Sequence, residues 1–410
     1  MAAFKEKTEL YAVKRILADL LFTNAGAPIE QGIVEIDDTG KILRVVSPTD
    51  SDYTIQDAHK VEGWLCPGFI NAHCHLELSH VKDQIPERSG LNGFIDALIG
   101  VKPTDDDTKL KAMQEADRAM QDEGIVAVID ICNTASSFAV KAKSSVSYYN
   151  VIELFGIRDE RADTVFENGL RLFDAMRQSS SKAAGNISPH APYSLSPRLA
   201  QKIKAHCEAA KHSIYSIHFM ESASEATLFR EGSGAMAERL YGMGLFKEGF
   251  PYINSNPFRF IEKALPDSGS LLFVHATYID RETLEMMRPY ANHAWFALCP
   301  RANVYIENRL PDLALIREFT DQIVLGTDSL ASNHSLSILE EMKAIQFNCP
   351  EISTEELLRW SSRNAAELLG KGNELGKIEA GMRPGLVQIG NVEKVSKKLT
   401  KSSFAKQICA

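Results

Sequence analysis

The chain has 410 residues, which predicts two or three domains or one large barrel with an appendage. Hydrophobic residues make up 44% and charged residues 24%, as in ordinary soluble globular proteins. The net charge of −9, from 45 basic and 54 acidic residues, argues against a nucleic-acid-binding surface and therefore against a nucleic-acid partner.

Cysteine content and hydropathy indicate the compartment. The count of seven cysteines is odd and no Cys-x-x-Cys occurs, so neither a disulfide framework nor a thiolate zinc site is expected. A reducing, cytoplasmic location follows. No apolar run reaches the roughly 18 residues of a membrane helix, and the first residues lack the apolar core of a signal peptide. We therefore expect no membrane partner.

In chain order, the first 65 residues predict short strands at 16–23, 32–36 and 41–46, separated by turns. From residue 65, apolar runs alternate with stretches of helical period, of which 108–121, 197–211 and 335–347 are typical. The predicted strands of this part are 65–71, 124–130, 149–155, 186–189, 213–218, 270–275, 293–299 and 322–326. This alternation predicts an α/β fold, a (β/α)₈ barrel, with a doubly wound sheet as the competing architecture.

The end of the chain returns to β character. A helix is predicted over 355–369, followed by turns and by a strand over 386–389. We expect this strand to pair with the N-terminal strands in one small domain. The basic, polar tail from Lys394 onward is expected to be loosely ordered.

Histidines gather at the predicted strand ends, where barrel enzymes carry their active sites. Five of the 11 histidines fall at or just past such ends. The relevant residues are His73, His75, His190, His218 and His275, joined by Glu221 and by Asp328. His73 and His75 are one residue apart in a strand, so both imidazoles face one side and Cys74 faces the other. Because neutral imidazole is a common ligand of zinc and iron, the pattern predicts a metal site.

Each of these residues also has a structural interpretation. His190 could be a hydrogen-bonded loop histidine, His275 a strand cap, Asp328 a turn aspartate and Glu221 a solvated carboxylate. The remaining histidines fit no strand end and are expected to be structural or solvated; they are His59, His80, His206, His212, His293 and His334.

Taken together, these segments resemble the amidohydrolase superfamily, in particular its aminohydrolase branch. They are Pro67-Gly68-Phe69-Ile70-Asn71-Ala72-His73-Cys74-His75 with Leu76-Glu77, Ser188-Pro189-His190-Ala191-Pro192-Tyr193, His218-Phe219-Met220-Glu221, Cys299-Pro300-Arg301-Ala302-Asn303, and Gly326-Thr327-Asp328. Ala302 stands where the branch has serine, and Pro384-Gly385 stand where the family continues with Ala-Asp. The resemblance implies a barrel over 66–371 and a composite β-sandwich domain from 1–65 and 372–410.

The resemblance also implies one metal ion. Binuclear members use a carboxylated lysine from the fourth strand, but here His190 occupies that strand end and no lysine is adjacent. The implied ligands are His73, His75, His218 and Asp328. Three imidazoles with one carboxylate suit zinc, which we favour, or iron(II).

The implied reaction is hydrolytic deamination. The ion would lower the pKa of a bound water from about 15.7 toward roughly 7. Asp328 would accept that water's proton, His275 would orient the water, and Glu221 would carry the proton to a ring nitrogen and then to the departing ammonia. His190 is the tentative contact to the purine ring.

The resemblance favours an aminated purine nucleoside as the small-molecule substrate. 6-Amino-6-deoxyfutalosine, of the futalosine route to menaquinone, ranks first, and adenosine-type nucleosides follow. Phe155, Arg158 and Tyr193 could contact the nucleoside, although they equally fit loop packing. Guanine or cytosine deamination, triazine dehalogenation and a non-catalytic scaffold on the same fold stay open. Homo-oligomers are compatible with the sequence, which does not decide their size.

Overall fold

The computed structural model describes residues 13–210, 212–245 and 254–409. The amino-terminal part of the described chain contributes five strands to one sheet. They are β1 (Lys14–Leu21), β2 (Ile29–Glu30), β3 (Ile33–Ile36), β4 (Ile42–Val46) and β5 (Ala58–Pro67). β1 pairs antiparallel with β2 and β3, and parallel with β5. The short strands predicted for this region are thus observed, each within two residues of its predicted ends.

Within the described residues, eight parallel strands follow. They are β6 (Phe69–Cys74), β7 (Ile125–Cys132), β8 (Ser147–Leu154), β9 (Ala184–Pro189), β10 (Ile214–Phe219), β11 (Ser270–His275), β12 (Ala294–Leu298) and β13 (Ile323–Leu325). Parallel pairing runs without interruption from β6 to β9 and again from β10 to β13. These are two halves of one barrel.

Two seams close the barrel. Between β9 and β10, the backbone N–H of His218 donates to the carbonyl oxygen of His190 over 2.8 Å. Between β13 and β6, Cys74 and Asp328 form a parallel bridge, and the N–H of Asp328 donates to the carbonyl oxygen of His73 over 3.0 Å. The predicted (β/α)₈ barrel is therefore confirmed, and its seams lie at the predicted site residues.

Helices surround the barrel. They are α1 (Gly90–Gly100), α2 (Asp106–Asp122), α3 (Phe138–Lys141), α4 (Ala162–Ser179), α5 (Pro197–Ala209), α6 (Ala223–Glu231), α7 (Gly234–Gly242), α8 (Pro257–Glu262), α9 (Arg281–Met287), α10 (Pro300–Glu307), α11 (Leu313–Phe319), α12 (Ile338–Asn348), α13 (Thr354–Leu358) and α14 (Asn364–Leu368). A π-helical turn, Arg359–Arg363, joins α13 to α14. The predicted helix 355–369 is this continuous unit. Residue 211, the predicted end of α5, lies outside the described residues.

The sequence explains how these helices begin and which faces they bury. The Asp105 side chain accepts the N–H of Thr108 over 2.8 Å and so caps α2. Apolar residues of α2 recur every three or four positions, at Met113, Ala116 and Met120, and all three are buried in the main core. None of the helices in the described part of the chain is both long and apolar enough to cross a membrane.

One predicted strand, 65–71, is in fact two strands. β5 ends at Pro67, β6 begins at Phe69, and Gly68 lies between them. A Cβ atom on Gly68 would lie 2.5 Å from Val126 Cγ1 and 2.6 Å from the carbonyl oxygen of Pro384. The chain crosses from the sheet into the barrel at this close approach, which the continuous apolar pattern concealed.

The last strands return to the first sheet. β14 (Leu386–Gly390) pairs antiparallel with both β5 and β15 (Phe404–Cys409), giving the order β15-β14-β5-β1-β3-β4. The expectation of a loosely ordered tail is therefore wrong for β15, whose hydrogen bonds come from the edge of β14. The domain boundaries at 1–65, 66–371 and 372–410 stay a prediction.

Candidate active site

Three buried imidazoles converge at the carboxyl end of the barrel. His73 lies in β6 and His75 directly follows that strand, and their Nε2 atoms are 3.1 Å apart. The ring of His218, from β10, has its centre 4.9 Å from that of His73. Donor atoms of these three side chains all lie within 4.8 Å of one another. The structure thus brings together the three histidines that the sequence assigns to one metal.

Asp328 faces the same imidazoles from the end of β13. Its Oδ1 atom lies 3.3 Å from Nε2 of His75 and 3.7 Å from Nε2 of His73. Its Oδ2 atom accepts the hydroxyl of Ser332 over 2.5 Å, which fixes the carboxylate plane. Asp328 has a φ of 58°, so the backbone turns sharply where it leaves the strand.

Charge at this cluster favours a cation. Burial lowers the pKa of His73 to about 3 and holds the pKa of His218 well below its usual range, so both imidazoles are neutral. Burial alone would raise the pKa of Asp328, but contacts with His73 and His75 outweigh burial and hold it well below the usual range. Neutral imidazoles and a carboxylate therefore bring lone pairs close together around Nε2 of His73. In addition, the buried Nδ1 of His73 has no hydrogen-bond partner. This nitrogen and oxygen donor set fits a divalent zinc or iron ion.

Two oxygen atoms lie next to Nδ1 of His218, the ring nitrogen that is not assigned to the metal. Its Nδ1 atom lies 3.1 Å from the carbonyl oxygen of His190 and 3.4 Å from Oε1 of Glu153. A proton on Nδ1 donates to the carbonyl oxygen of His190 and leaves the Nε2 lone pair for an ion. Sequence analysis did not single out Glu153; its position next to the end of β8 was the available signal.

Glu221 lies beside this cluster in the loop between β10 and α6. Its Oε1 atom is 3.7 Å from Nε2 of His275, and only 6% of the residue is exposed. Burial raises the pKa of Glu221 to about 7, which suits a group that gains and loses a proton near neutral pH. The N–H of Glu221 donates to Oε2 of Glu225 over 3.0 Å. Sequence analysis missed this second, fully buried carboxyl.

His275 ends β11 in a left-handed conformation, with a φ of 72°. Its Nδ1 atom lies 2.8 Å from Oδ1 of Asn303, so an N–H there donates to the amide oxygen and Nε2 keeps its lone pair toward Glu221. His275, His73 and Asp328 also share a group of converging donor atoms. The role of Asn303 was not predicted, although its motif had been recognised.

His190 lies at the edge of the cluster, where the substrate contact was predicted. Its Nδ1 atom is 2.9 Å from the Ser194 hydroxyl, and its ring centre is 4.9 Å from that of His218. Phe155 meets the same ring edge-on at 6.0 Å and is 58% exposed, whereas Tyr193, at 5.8 Å, is buried. Arg158 is exposed. The purine contact of His190 stays a prediction.

Helices close over this end of the barrel. Apolar side chains of α1, α6, α7 and α10 form one buried cluster that includes Ala191 and Tyr193, directly after His190. Arg239 of α7 forms an ion pair with Asp96 of α1. The cluster therefore shields one side of the site from water.

The other histidines lie apart from the cluster. Within the described ranges, none of the six belongs to a converging donor group. His80 contacts the carbonyl oxygen of Glu77, and the ring of His206 packs on Phe173.

Two cavities of about 310 and 390 Å³ lie at the opposite, amino-terminal end of β8 and β9 and contain no predicted site residue.

Comparison with known proteins gives a family. The sequence profile of the Amidohydrolase family matches residues 64–408, which include all the residues of the candidate site.

Similar proteins carry related names. An adenosine deaminase of Helicobacter pylori is 27% identical over 340 residues, covering 82% of this chain and 80% of that protein. An aminodeoxyfutalosine deaminase of Nitratiruptor sp. is 27% identical over 349 residues, covering 81% and 78%. The crystal structure of Helicobacter pylori aminofutalosine deaminase with methylthio-coformycin superposes with a TM-score of 0.77 at 24% identity, covering 94% of each chain. That structural likeness supports the fold.

Proposed function

Because this chain belongs to the amidohydrolase family, we propose that it is a hydrolytic deaminase acting on the exocyclic amine of a purine nucleoside. The observation that carries the proposal is the position of Glu221. Its carboxyl group, with a pKa raised to about 7 by burial, lies beside a convergent set of three imidazoles and one carboxylate. An acid near neutrality next to a hydrolytic metal site suits the loss of ammonia.

We assign the metal to His73, His75, His218 and Asp328, a donor set that suits zinc or iron(II), and of the two we favour zinc. A divalent ion held there would lower the pKa of a water toward about 7 and so supply the nucleophile. The neutral state of His73 supports this assignment, because a protonated imidazole offers no lone pair.

The protein's own groups then move the protons. Asp328 accepts one proton from the water, and His275, whose Nε2 lone pair is set by Asn303, orients it. Protonated Glu221 gives its proton to the adjacent ring nitrogen as oxygen bonds to the carbon that bears the amine. Deprotonated Glu221 then takes the proton of the new hydroxyl group and carries it to the amine, so that breaking the carbon–nitrogen bond releases ammonia and leaves a keto group. The proton held by Asp328 restores protonated Glu221. Each such proton transfer is worth about 10²–10⁴ in rate.

For the substrate we propose 6-amino-6-deoxyfutalosine first and adenosine-type nucleosides second. Two relatives, an aminodeoxyfutalosine deaminase and an adenosine deaminase, support a nucleoside. His190 lies beside His218 and next to the exposed ring of Phe155, so an imidazole and an aromatic ring are placed where they can meet a purine. His190 is the residue we assign to the ring.

A substrate panel tests this proposal. Purified, zinc-loaded protein is assayed for ammonia release from aminofutalosine, adenosine, methylthioadenosine, adenosylhomocysteine, guanine and cytosine, and for halide release from a chlorotriazine. We expect turnover of the adenine nucleosides, with aminofutalosine best by kcat/KM. Exclusive turnover of guanine, cytosine or the triazine would overturn the substrate. A protein that binds no zinc, iron or manganese would point to a non-catalytic scaffold.

A further inference from the structure

The buried carboxylate next to Nδ1 of His218 takes no part in the proton transfers proposed above. Glu153 is the penultimate residue of β8 and is 6% exposed. Its Oε1 atom lies 3.4 Å from Nδ1 of His218 and has no hydrogen-bond partner by distance and angle. Burying an acceptor without a partner costs stability, so the arrangement calls for a function.

The carboxylate is held in this orientation from its other side. The Asn133 side-chain amide donates to Oε2 of Glu153 over 3.0 Å. Asn133 is in turn fixed by Glu77, whose Oε1 accepts the Asn133 backbone N–H over 2.7 Å. Loops after β6 and β7 thus aim the free oxygen of Glu153 at the His218 ring.

Charge balance points the same way. Within the described residues, no Lys or Arg nitrogen lies within 4.0 Å of Glu153, and the basic side chain within that distance, His218, is neutral. A buried carboxylate without a cation is costly. A divalent ion on the far side of the imidazole would place positive charge near the buried carboxyl groups of both Asp328 and Glu153.

We propose that Glu153 is a positioning residue for the metal. With its Oε1 atom 3.4 Å from Nδ1 of His218, the carboxylate favours the tautomer whose Nδ1–H donates to the carbonyl oxygen of His190, keeps Nε2 toward the ion and strengthens its binding. The inference rests on the metal site of the proposed function. Partners of this kind typically change metal affinity about 10–100-fold.

Metal affinity tests the inference without any activity assay. Zinc affinity is measured by competition with a chromophoric chelator for wild type and for Glu153→Gln, which keeps the shape and removes the charge. The control is Glu123→Gln, at the amino-terminal end of β7, where burial also raises the pKa of a carboxyl remote from the site. We expect at least tenfold weaker binding in Glu153→Gln and less than twofold change in the control.

The other outcomes distinguish a failure of this inference from a failure of the proposed function. Wild-type protein without zinc affinity would refute the metal site and the proposed function with it. Normal zinc affinity in Glu153→Gln would overturn the inference alone, and a raised KM with normal zinc would assign the residue to substrate instead. If Glu153→Gln does not fold, as judged by circular dichroism of the metal-free protein, the second variant is Asn133→Ala. Asn133 is exposed, and its loss removes the amide that holds the Glu153 carboxylate, so we expect the zinc affinity to fall several-fold. Unchanged affinity in that variant would overturn the inference.

Discussion

The Nε2 atom of His275 lies 3.7 Å from the Oε1 atom of Glu221. The pair joins the ends of β10 and β11, and Asn303, from α10, fixes the far nitrogen of His275 over 2.8 Å. A protonated Glu221 therefore faces the Nε2 lone pair of His275 at slightly more than hydrogen-bond distance. Both side chains lie beside the imidazoles of His73, His75 and His218, so proton transfer and metal binding are assigned to adjacent groups of residues.

Glu221→Gln is expected to keep its metal and lose at least a hundredfold in kcat. The amide preserves volume but cannot deliver a proton, and one general acid contributes about 10²–10⁴ in rate. Zinc content by elemental analysis and kcat by ammonia release are measured together. Glu231→Gln, an exposed change at the end of α6, should leave both unchanged. A Glu221→Gln enzyme within tenfold of wild-type kcat would refute the assigned role.

The pH dependence of kcat/KM follows from the same carboxyl. Burial raises the pKa of Glu221 to about 7, and the protonated form is the one that donates. That form is complete well below pH 7 and falls tenfold for each unit above it, so kcat/KM should fall as pH rises from 7 to 9. The residual activity of Glu221→Gln should lack this descending limb. The same limb in the variant would assign it to another group.

Cys74→Ser should leave metal content unchanged. Cys74 lies between the two histidines but belongs to the core cluster with Met113 and Met120 of α2. Alternation in the strand therefore turns its thiol away from the ion. Zinc stoichiometry is compared with that of His75→Ala, which should lose the metal. A large loss of zinc in a folded Cys74→Ser protein would show that the thiol takes part in the site.

Phe155→Ala should raise KM for the nucleoside about fivefold and change kcat by less than twofold. Phe155 is 58% exposed beside His190, and an aromatic contact of this kind is worth about 1 kcal/mol. Steady-state kinetics with adenosine and aminofutalosine measure the effect. Phe347→Ala, an exposed phenylalanine near the end of α12, is the matched control. Equal KM values for wild type and Phe155→Ala would place the substrate elsewhere.

Much of the site could be predicted because barrel geometry converts chain position into spatial position. Residues that follow a parallel strand lie at one end of the barrel, so His218, His275 and Asp328 could be grouped with His73 and His75 from strand ends alone. The alternation of side chains along a strand placed His73 and His75 on one face and Cys74 on the other.

The supporting residues could not be predicted, since their roles depend on distances between elements remote in sequence. Glu153 reaches His218 across 65 positions, and Asn303 reaches His275 only because α10 begins directly after β12. The break between β5 and β6 at Gly68 was not predicted for a similar reason. The atoms that leave no room for a Cβ there belong to Val126 and Pro384, which are remote in sequence.

Metal-dependent conversion of an adenine nucleoside is the most direct test of a hydrolytic deaminase with one metal ion per chain. Protein stripped by a chelator is titrated with zinc while ammonia release from aminofutalosine or adenosine is followed. We expect no turnover without metal and full turnover at one zinc per chain, with the ligands His73, His75, His218 and Asp328 each required. Turnover that persists in the stripped protein, or that needs two ions per chain, would contradict it.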